Sequence, residues 1–432
     1  MKSFAITTLG CKVNYYDSNA VTKLLMDAGY ECVSFDEKAD IYIINTCSVT
    51  SLSDRKSRQL LHRARKLNNN AIIIAMGCYA QFDADNLIKN KTADLVIGTN
   101  NRNEILKQIQ SYEQNKLSTK RILDVRQESF FEEMPIINTH ERCRAFVKIQ
   151  EGCNEFCSYC IIPYTRGKSR SRDFNKIYEQ VESLVASGFK EIVLTGINVS
   201  AYGEDLETNF DLADVISQLH KIKKLERIRL SSVEPNLITD DFIDKIKSLP
   251  KLCPHFHMSL QSGSDKILKA MNRKYTSQEY FAASQKLKNT FANASLTTDI
   301  IVGFPGETQE DFLQTYEFAK QIGFAKIHVF PFSPRKNTRA YNFPNQIDDK
   351  TKKLRTGKLI SLSQELTQKY IEKFISQTLP VLIEEKSNED YVGHTDNYIK
   401  VIVKNNPDLQ ANQIVNAKII GTDKEFAYGT VE

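Results

Sequence analysis

The 432-residue sequence predicts an α/β protein in three parts: an N-terminal parallel βαβ domain, a central partial TIM-like (β/α)6 barrel, and a small all-β C-terminal barrel of the OB type. Three observations predict it. Short β-rich runs alternate with helical stretches through the first 110 residues, and six βα units follow from Ala145. After Thr378 the helical period disappears, and five short strands remain between Gly, Asn and Asp.

In the first part, residues 4–9 precede a helical pattern running to Ala28, residues 41–45 precede a helix over 53–67, and residues 71–76 precede a short helix. That rhythm makes 1–110 one domain. Residues 111–141 are polar and irregular, include the charged cluster at 128–133, and read as a linker. Barrel strands are expected at 145–150, 191–195, 227–231, 255–260, 295–302 and 326–330, with a closing helix over 349–374, so the second domain spans 142–370. Strands at 379–384, 391–394, 398–403, 413–420 and 425–431 complete a third domain, 371–432.

Hydrophobic residues at 41% and charged residues at 26% exclude a disordered or collagenous chain. No apolar run reaches the roughly 18 residues of a spanning helix, and the N-terminus lacks a leader pattern, so the expected location is cytoplasmic. Net charge is +5, unevenly spread: residues 371–432 hold six Lys and no Arg against ten Asp and Glu, net −4, which leaves +9 on residues 1–370. Nine cysteines in a reducing compartment point away from disulfides and toward metal or catalysis.

The strongest signal is the CxxxCxxC string Cys153, Cys157, Cys160, placed directly after the first barrel strand. Three thiolates on one tight loop can hold three irons of a four-iron cluster and leave the fourth open. S-adenosylmethionine chelated there could be split by an electron to give a carbon radical. The rival is structural zinc, which wants four ligands. Only His140 and Cys143 are near, both upstream of the strand.

Cys11, Cys47 and Cys78 each follow the carboxyl end of an expected parallel strand, so they would converge at one sheet edge, the usual ligand side. Gly10 and Gly77 permit close approach there, and Asn14, Asn45 and Thr46 can bond to sulfur. Three convergent thiolates make a second cluster site; the alternative is that they are small buried hydrophobes, the reading given to Cys32 and Cys253. Cys143 stays unassigned.

The strings around Cys11 (residues 8–14), Cys47 (45–50), Cys78 (77–81) and Cys153 through Tyr164 resemble the radical S-adenosylmethionine methylthiotransferases, over nearly the whole chain and in that family's domain order, ending in a TRAM domain. The resemblance implies two 4Fe-4S clusters, a radical-generating one on Cys153, Cys157 and Cys160 and an auxiliary one on Cys11, Cys47 and Cys78. It implies two S-adenosylmethionine molecules per turnover. It also implies a tRNA anticodon loop as partner, with an external electron donor and a sulfur source. Cys11-Lys12-Val13-Asn14 and the run from Arg166 to Arg172 are similar to the subgroup acting on N6-threonylcarbamoyladenosine at position 37 of tRNA. Other subgroups act on N6-isopentenyladenosine or on an aspartate of a ribosomal protein.

Barrel enzymes keep their sites at strand carboxyl ends. There stand Gly196 and Asn198, Ser232 and Glu234, Gln261, and Gly303 and Glu307, which with Tyr159 are the expected cofactor contacts. His255 and His257 alternate on one strand and could bind metal, but with no third ligand they read as packed or hydrogen-bonded. The segment from Arg55 to Lys66 holds six Lys and Arg and no acid just beyond Cys47, so Arg55, Lys56 and Arg58 are candidates for phosphate contact, with a solvated basic face as the alternative. Arg335, after the last barrel strand, is a further RNA candidate. The acidic C-terminal barrel is a poor footprint for RNA, and is expected to contribute through local residues such as Lys400 and Lys404 or to support the barrel mouth.

The expected activity is replacement of the adenine C2 hydrogen of threonylcarbamoyladenosine by a methylthio group. The same chemistry on another substrate is the enzyme alternative. A non-catalytic iron-sulfur or zinc RNA-binding protein is the other.

Overall fold

The computed structural model describes residues 1–135, 143–404 and 409–431. His140 and the end of the expected linker lie outside the described residues. The chain forms two compact units, the first from Met1–Asn138, Lys148–Asp173 and Ser333–Tyr341, the second from Thr139–Val147, Phe174–Phe332 and Asn342–Glu432.

In the first unit six strands form one parallel sheet, in the order Glu31–Cys32, Ser3–Thr8, Ile41–Thr46, Ile72–Gly77, Leu95–Ile97, Thr119–Arg121. Every residue of Ile41–Thr46 and Ile72–Gly77 is buried, as befits central strands with helices on both faces. One face packs Tyr42, Ile44, Ile73 and Ala75, the other Ile41, Ile43, Ile72 and Ile74. The helix Ser51–Leu67 starts where the Thr50 hydroxyl caps the Ser53 N–H, with Asp54 in its first turn and Arg65 and Lys66 in its last, each matching the helix dipole.

The stretch expected as linker is partly structured. Helix Ile105–Asn115 runs into it, and Thr119–Arg121 adds the sixth strand. That strand is exposed throughout and wholly polar, so hydrophobic patterning could not reveal it. Cys32 also departs from expectation: it is exposed on the edge strand, not packed in a core.

In the second unit the strands Arg227–Leu230, Glu191–Thr195 and Arg144–Lys148 pair in that order, as do His255–His257, Ser295–Val302 and Lys326–Pro331. Parallel bridges Ile228 to Leu252 and Val233 to Met258 join the two halves. The strand expected over 255–260 stops at His257 because side chains take over its backbone. Tyr280 donates to the Met258 carbonyl at 2.6 Å, Tyr275 to those of Ser259 and Leu260 at 2.6 and 2.9 Å, and the Leu260 N–H donates to Thr298 Oγ1 at 2.9 Å.

Five antiparallel and parallel strands, Thr378–Ser387, Asp390–Thr395, Lys400–Val403, Ile414–Asp423 and Phe426–Val431, close the C-terminal barrel. Its core of Val381, Ile383, Val401, Val403, Ala417 and Ile419 continues onto Tyr370, Ile371 and Phe374. The small barrel seats on the amino-terminal ends of the large barrel's strands. Arg227 donates to the carbonyls of His394 and Pro380, Arg229 to those of Thr395 and Asp396, and Arg144 pairs with Glu384 at 2.9 Å. Tyr398 stacks between His255 and His394, centroids 4.5 and 4.8 Å away. The expectation that it supports the barrel mouth is therefore corrected: these contacts are at the opposite end from the strand carboxyl termini.

Candidate functional site

All six cysteines of the two triplets belong to the first unit. Cys153, Cys157 and Cys160 are partly exposed on one loop. Gly152, at φ +73°, opens the loop where a Cβ would lie 1.8 Å from the Lys168 carbonyl oxygen, so the tight approach demands glycine. The Cys153 N–H bonds the Gly167 carbonyl at 3.0 Å, the Cys160 N–H bonds Cys157 at 2.9 Å, and Asn154 Oδ1 accepts from the Ser169 N–H at 3.1 Å. The Glu155 N–H points at Cys153 Sγ, 3.5 Å away, as a donor suited to a thiolate.

Cys11 precedes the helix Lys12–Asp27 and is exposed, Cys47 follows the strand Ile41–Thr46, and Cys78 opens the helix Cys78–Lys89. Gly10 stands against Cys47: a Cβ there would be 3.0 Å from its Sγ. Burial pushes the Cys78 thiol up to about 11 and also raises Cys47, with the Val49 N–H opposing the rise at Cys47 and Arg166 opposing it at Cys78. Among the described residues no three His, Cys, Asp or Glu gather around a single-ion site. A cluster distributes its thiolates over separate irons, so this does not conflict with the donor set. Soft sulfur donors at one sheet edge, with N–H groups aimed at the buried sulfurs, fit an iron-sulfur group.

Behind this edge lies a buried ionic network that sequence reasoning missed. Arg166, fully buried, donates Nε to Cys78 Sγ at 3.2 Å, Nη1 to Glu151 at 2.6 Å and Nη2 to Asn14 Oδ1 at 2.5 Å. Lys148 bridges Asp17 at 2.8 Å and Glu151 at 3.0 Å, and Arg102 pairs with Asp17 and with Glu132. Four cations at once, Arg166, Lys148, Arg102 and Arg170, hold Glu151 far below the usual carboxylate range despite burial. In the sequence, the 166–172 run carried only a subgroup likeness; its burial could not be read from it.

In the second unit the strand-end residues have divided fates. Asn198 and Gln261 are buried, Gly196 and Glu234 half-buried, and Ser232 exposed. Gln261 adopts φ +68° where it bridges Ile300. Glu234 pairs with Arg273. Glu307 accepts from the Gly303 N–H at 2.8 Å and pairs with Arg355, its side chain 1% exposed, and so shapes the Gly303–Glu307 turn. His255 and His257 share Thr297 Oγ1, at 3.1 and 3.0 Å, consistent with the hydrogen-bonded reading. Cys253 is buried, as expected, and Cys143 donates to the Glu384 carbonyl at 3.4 Å.

Arg55 and Lys56 are exposed on the helix Ser51–Leu67, while Arg58 bonds the Tyr79 hydroxyl at 3.0 Å. Arg335 is not exposed like Arg55 and Lys56. Its side chain is 4% exposed and its guanidinium is engaged by Asp54 at 2.5 Å and Ser48 at 2.8 Å, which ties segment 333–341 to the helix Ser51–Leu67. Among the described residues no helix is long and apolar enough to cross a membrane.

Three family profiles match: the Radical SAM superfamily over residues 147–319, the Uncharacterized protein family UPF0004 over 3–98, and the TRAM domain over 372–431. The chain is 40% identical over 426 residues to the Threonylcarbamoyladenosine tRNA methylthiotransferase MtaB of Bacillus subtilis (strain 168), covering 97% of this chain and 94% of that one. It is 36% identical over 429 residues to the tRNA-2-methylthio-N(6)-dimethylallyladenosine synthase of Clostridium tetani (strain Massachusetts / E88), covering 97% and 94%. Among solved structures, the radical S-adenosylmethionine methyltransferase TsrM of Kitasatospora setae, with cobalamin and a [4Fe-4S] cluster, shares the fold at TM-score 0.59 and 12% identity, covering 79% of this chain and 77% of that one. Similarity at this level, carried across nearly the full length and all three domains, makes the chain a member of the radical S-adenosylmethionine methylthiotransferases.

Proposed function

We propose that the chain is a tRNA methylthiotransferase that converts N6-threonylcarbamoyladenosine at position 37 to its 2-methylthio derivative. The observation carrying this reading is the 40% identity, across 97% of the chain, to a relative named for that substrate. The Cys11-Lys12-Val13-Asn14 string supports the same subgroup. Cys153, Cys157 and Cys160 would hold one 4Fe-4S cluster and Cys11, Cys47 and Cys78 a second. With two S-adenosylmethionine molecules per turnover, these groups supply the electron, the radical chemistry and the sulfur that an unreactive adenine C2 requires.

The chain's own residues hold and orient. Gly152 and the Gly167 carbonyl fix the loop of the first triplet, and the Glu155 N–H faces its sulfur. Tyr159, Gly196, Asn198, Ser232, Glu234, Gln261 and Gly303 remain candidates for cofactor contact. Arg55, Lys56 and Arg58 would meet RNA phosphates near the second triplet. An external electron donor and a sulfur source complete the expected partners, in the cytoplasm.

Nucleoside analysis of tRNA from a deletion strain tests the substrate. Loss of 2-methylthio-N6-threonylcarbamoyladenosine alone is expected. Loss of the isopentenyl species instead would favour the second reading, which the 36% identity to a relative named for dimethylallyladenosine keeps in view. Intact tRNA with an unmodified ribosomal aspartate would overturn both.

A further inference from the structure

We infer that Arg166 is a positioning residue for the Cys11, Cys47 and Cys78 site, fixing its sulfurs and setting the reduction potential of the cluster bound there. The inference rests on the reading that these thiols hold a second cluster. A single guanidinium reaches all three thiol-bearing loops. It bonds Cys78 Sγ directly, at 3.2 Å. Through Asn14 it reaches the other two: Asn14 Oδ1 accepts from Arg166, while Asn14 Nδ2 donates to the carbonyls of Leu9 at 2.7 Å and Thr46 at 3.1 Å. Leu9 lies two residues before Cys11, and Thr46 immediately before Cys47. Asn45 Nδ2 closes the set by donating to the Asn14 carbonyl at 2.8 Å.

Arg166 itself ends the helix Ile162–Arg166, which begins two residues after Cys160. The same short segment thus carries the last thiol of one triplet and the anchor of the other. Only a planar fork can meet a sulfur, an amide oxygen and the Glu151 carboxylate at once; an ammonium on a flexible stem cannot. Reduction adds negative charge to a cluster, so a charged N–H donor on a ligating sulfur favours the reduced form and raises the potential.

The test uses the full chain carrying Cys153→Ala, Cys157→Ala and Cys160→Ala, which leaves one cluster to measure. Anaerobically reconstituted, this parent is expected to hold about four irons. In it, Arg166→Lys should move the midpoint of an EPR-monitored redox titration to lower potential, or release the iron from a protein still folded by circular dichroism. Arg102→Lys, in the same ionic network but bonded to no sulfur, should leave the midpoint in place. If Arg166→Lys does not fold, the charge-balanced Arg166→Gln/Glu151→Gln variant should show the same shift. An unchanged midpoint with iron retained overturns the role of Arg166 alone. A parent without iron overturns the second cluster itself, and this inference with it.

Discussion

Arg335→Leu should destabilise the first unit without touching nucleic acid. The Arg335 side chain is 4% exposed and that of its partner Asp54 13%, and Ser48 Oγ accepts from the same guanidinium. Deleting one member of a buried pair strands the other, at about 3–5 kcal/mol, whereas replacing both by apolar groups is near neutral. Arg335→Leu/Asp54→Leu should therefore recover most of the loss. The pH dependence follows from Asp54, whose pKa burial raises while Arg335 opposes the rise. A raised folded pKa means the native state binds the extra proton, so stability falls as pH rises from the ordinary carboxylate pKa through the folded one. Without Arg335 the folded pKa climbs further, and the deficit should be largest at neutral pH and shrink on acidification. The assay is a double-mutant cycle on the urea transition of the first unit at two pH values, with tRNA retention measured alongside. A loss under about 1 kcal/mol together with selective loss of tRNA binding would refute the buried-pair argument.

Changing Cys11, Cys47 and Cys78 together to Ala should remove about half the iron of the reconstituted enzyme while S-adenosylmethionine cleavage to 5'-deoxyadenosine persists; the matching change at Cys153, Cys157 and Cys160 should abolish that cleavage. Asp311, held at about 2 chiefly by Lys266 and its Thr308 and Ser264 bonds against burial, contributes stability at neutral pH that is lost as pH falls from about 4 to about 2, so Asp311→Asn should flatten acid denaturation of the second unit in that window. Tyr398→Ala should lower the thermal midpoint of the second unit by opening the stack between His255 and His394, with the iron content unchanged.

Period and spacing made the strands legible: 191–195 and 295–302 match the structure to the residue, since Ile192–Leu194 and Ile300–Val302 are β-rich apolar runs set between helical stretches. Strands decided by side-chain bonding did not show. His255–His257 ends early through Tyr275 and Tyr280, and Thr119–Arg121 has no apolar residue to mark it. At the site, the cysteines announced themselves by position after strands. Arg166, Asp17, Lys148 and Glu151 did not, since a charged residue carries no local sign that the fold will bury it among opposite charges. The partners of Arg335 and Glu307 were hidden for the same reason: each pairs with a residue distant in sequence.

The unit that carries both thiol triplets is not contiguous in the chain; it is completed by Lys148–Asp173 and Ser333–Tyr341. During translation the first 110 residues emerge with Cys11, Cys47 and Cys78 in place but without Arg166, and Arg335 follows only near the end of synthesis. The hydrogen bonds around those three thiols are thereby completed only once Arg166 has been made. An isolated N-terminal fragment, however well its sheet forms, would present the three sulfurs without Arg166, and a chain ending before residue 333 would leave Asp54 without its buried partner.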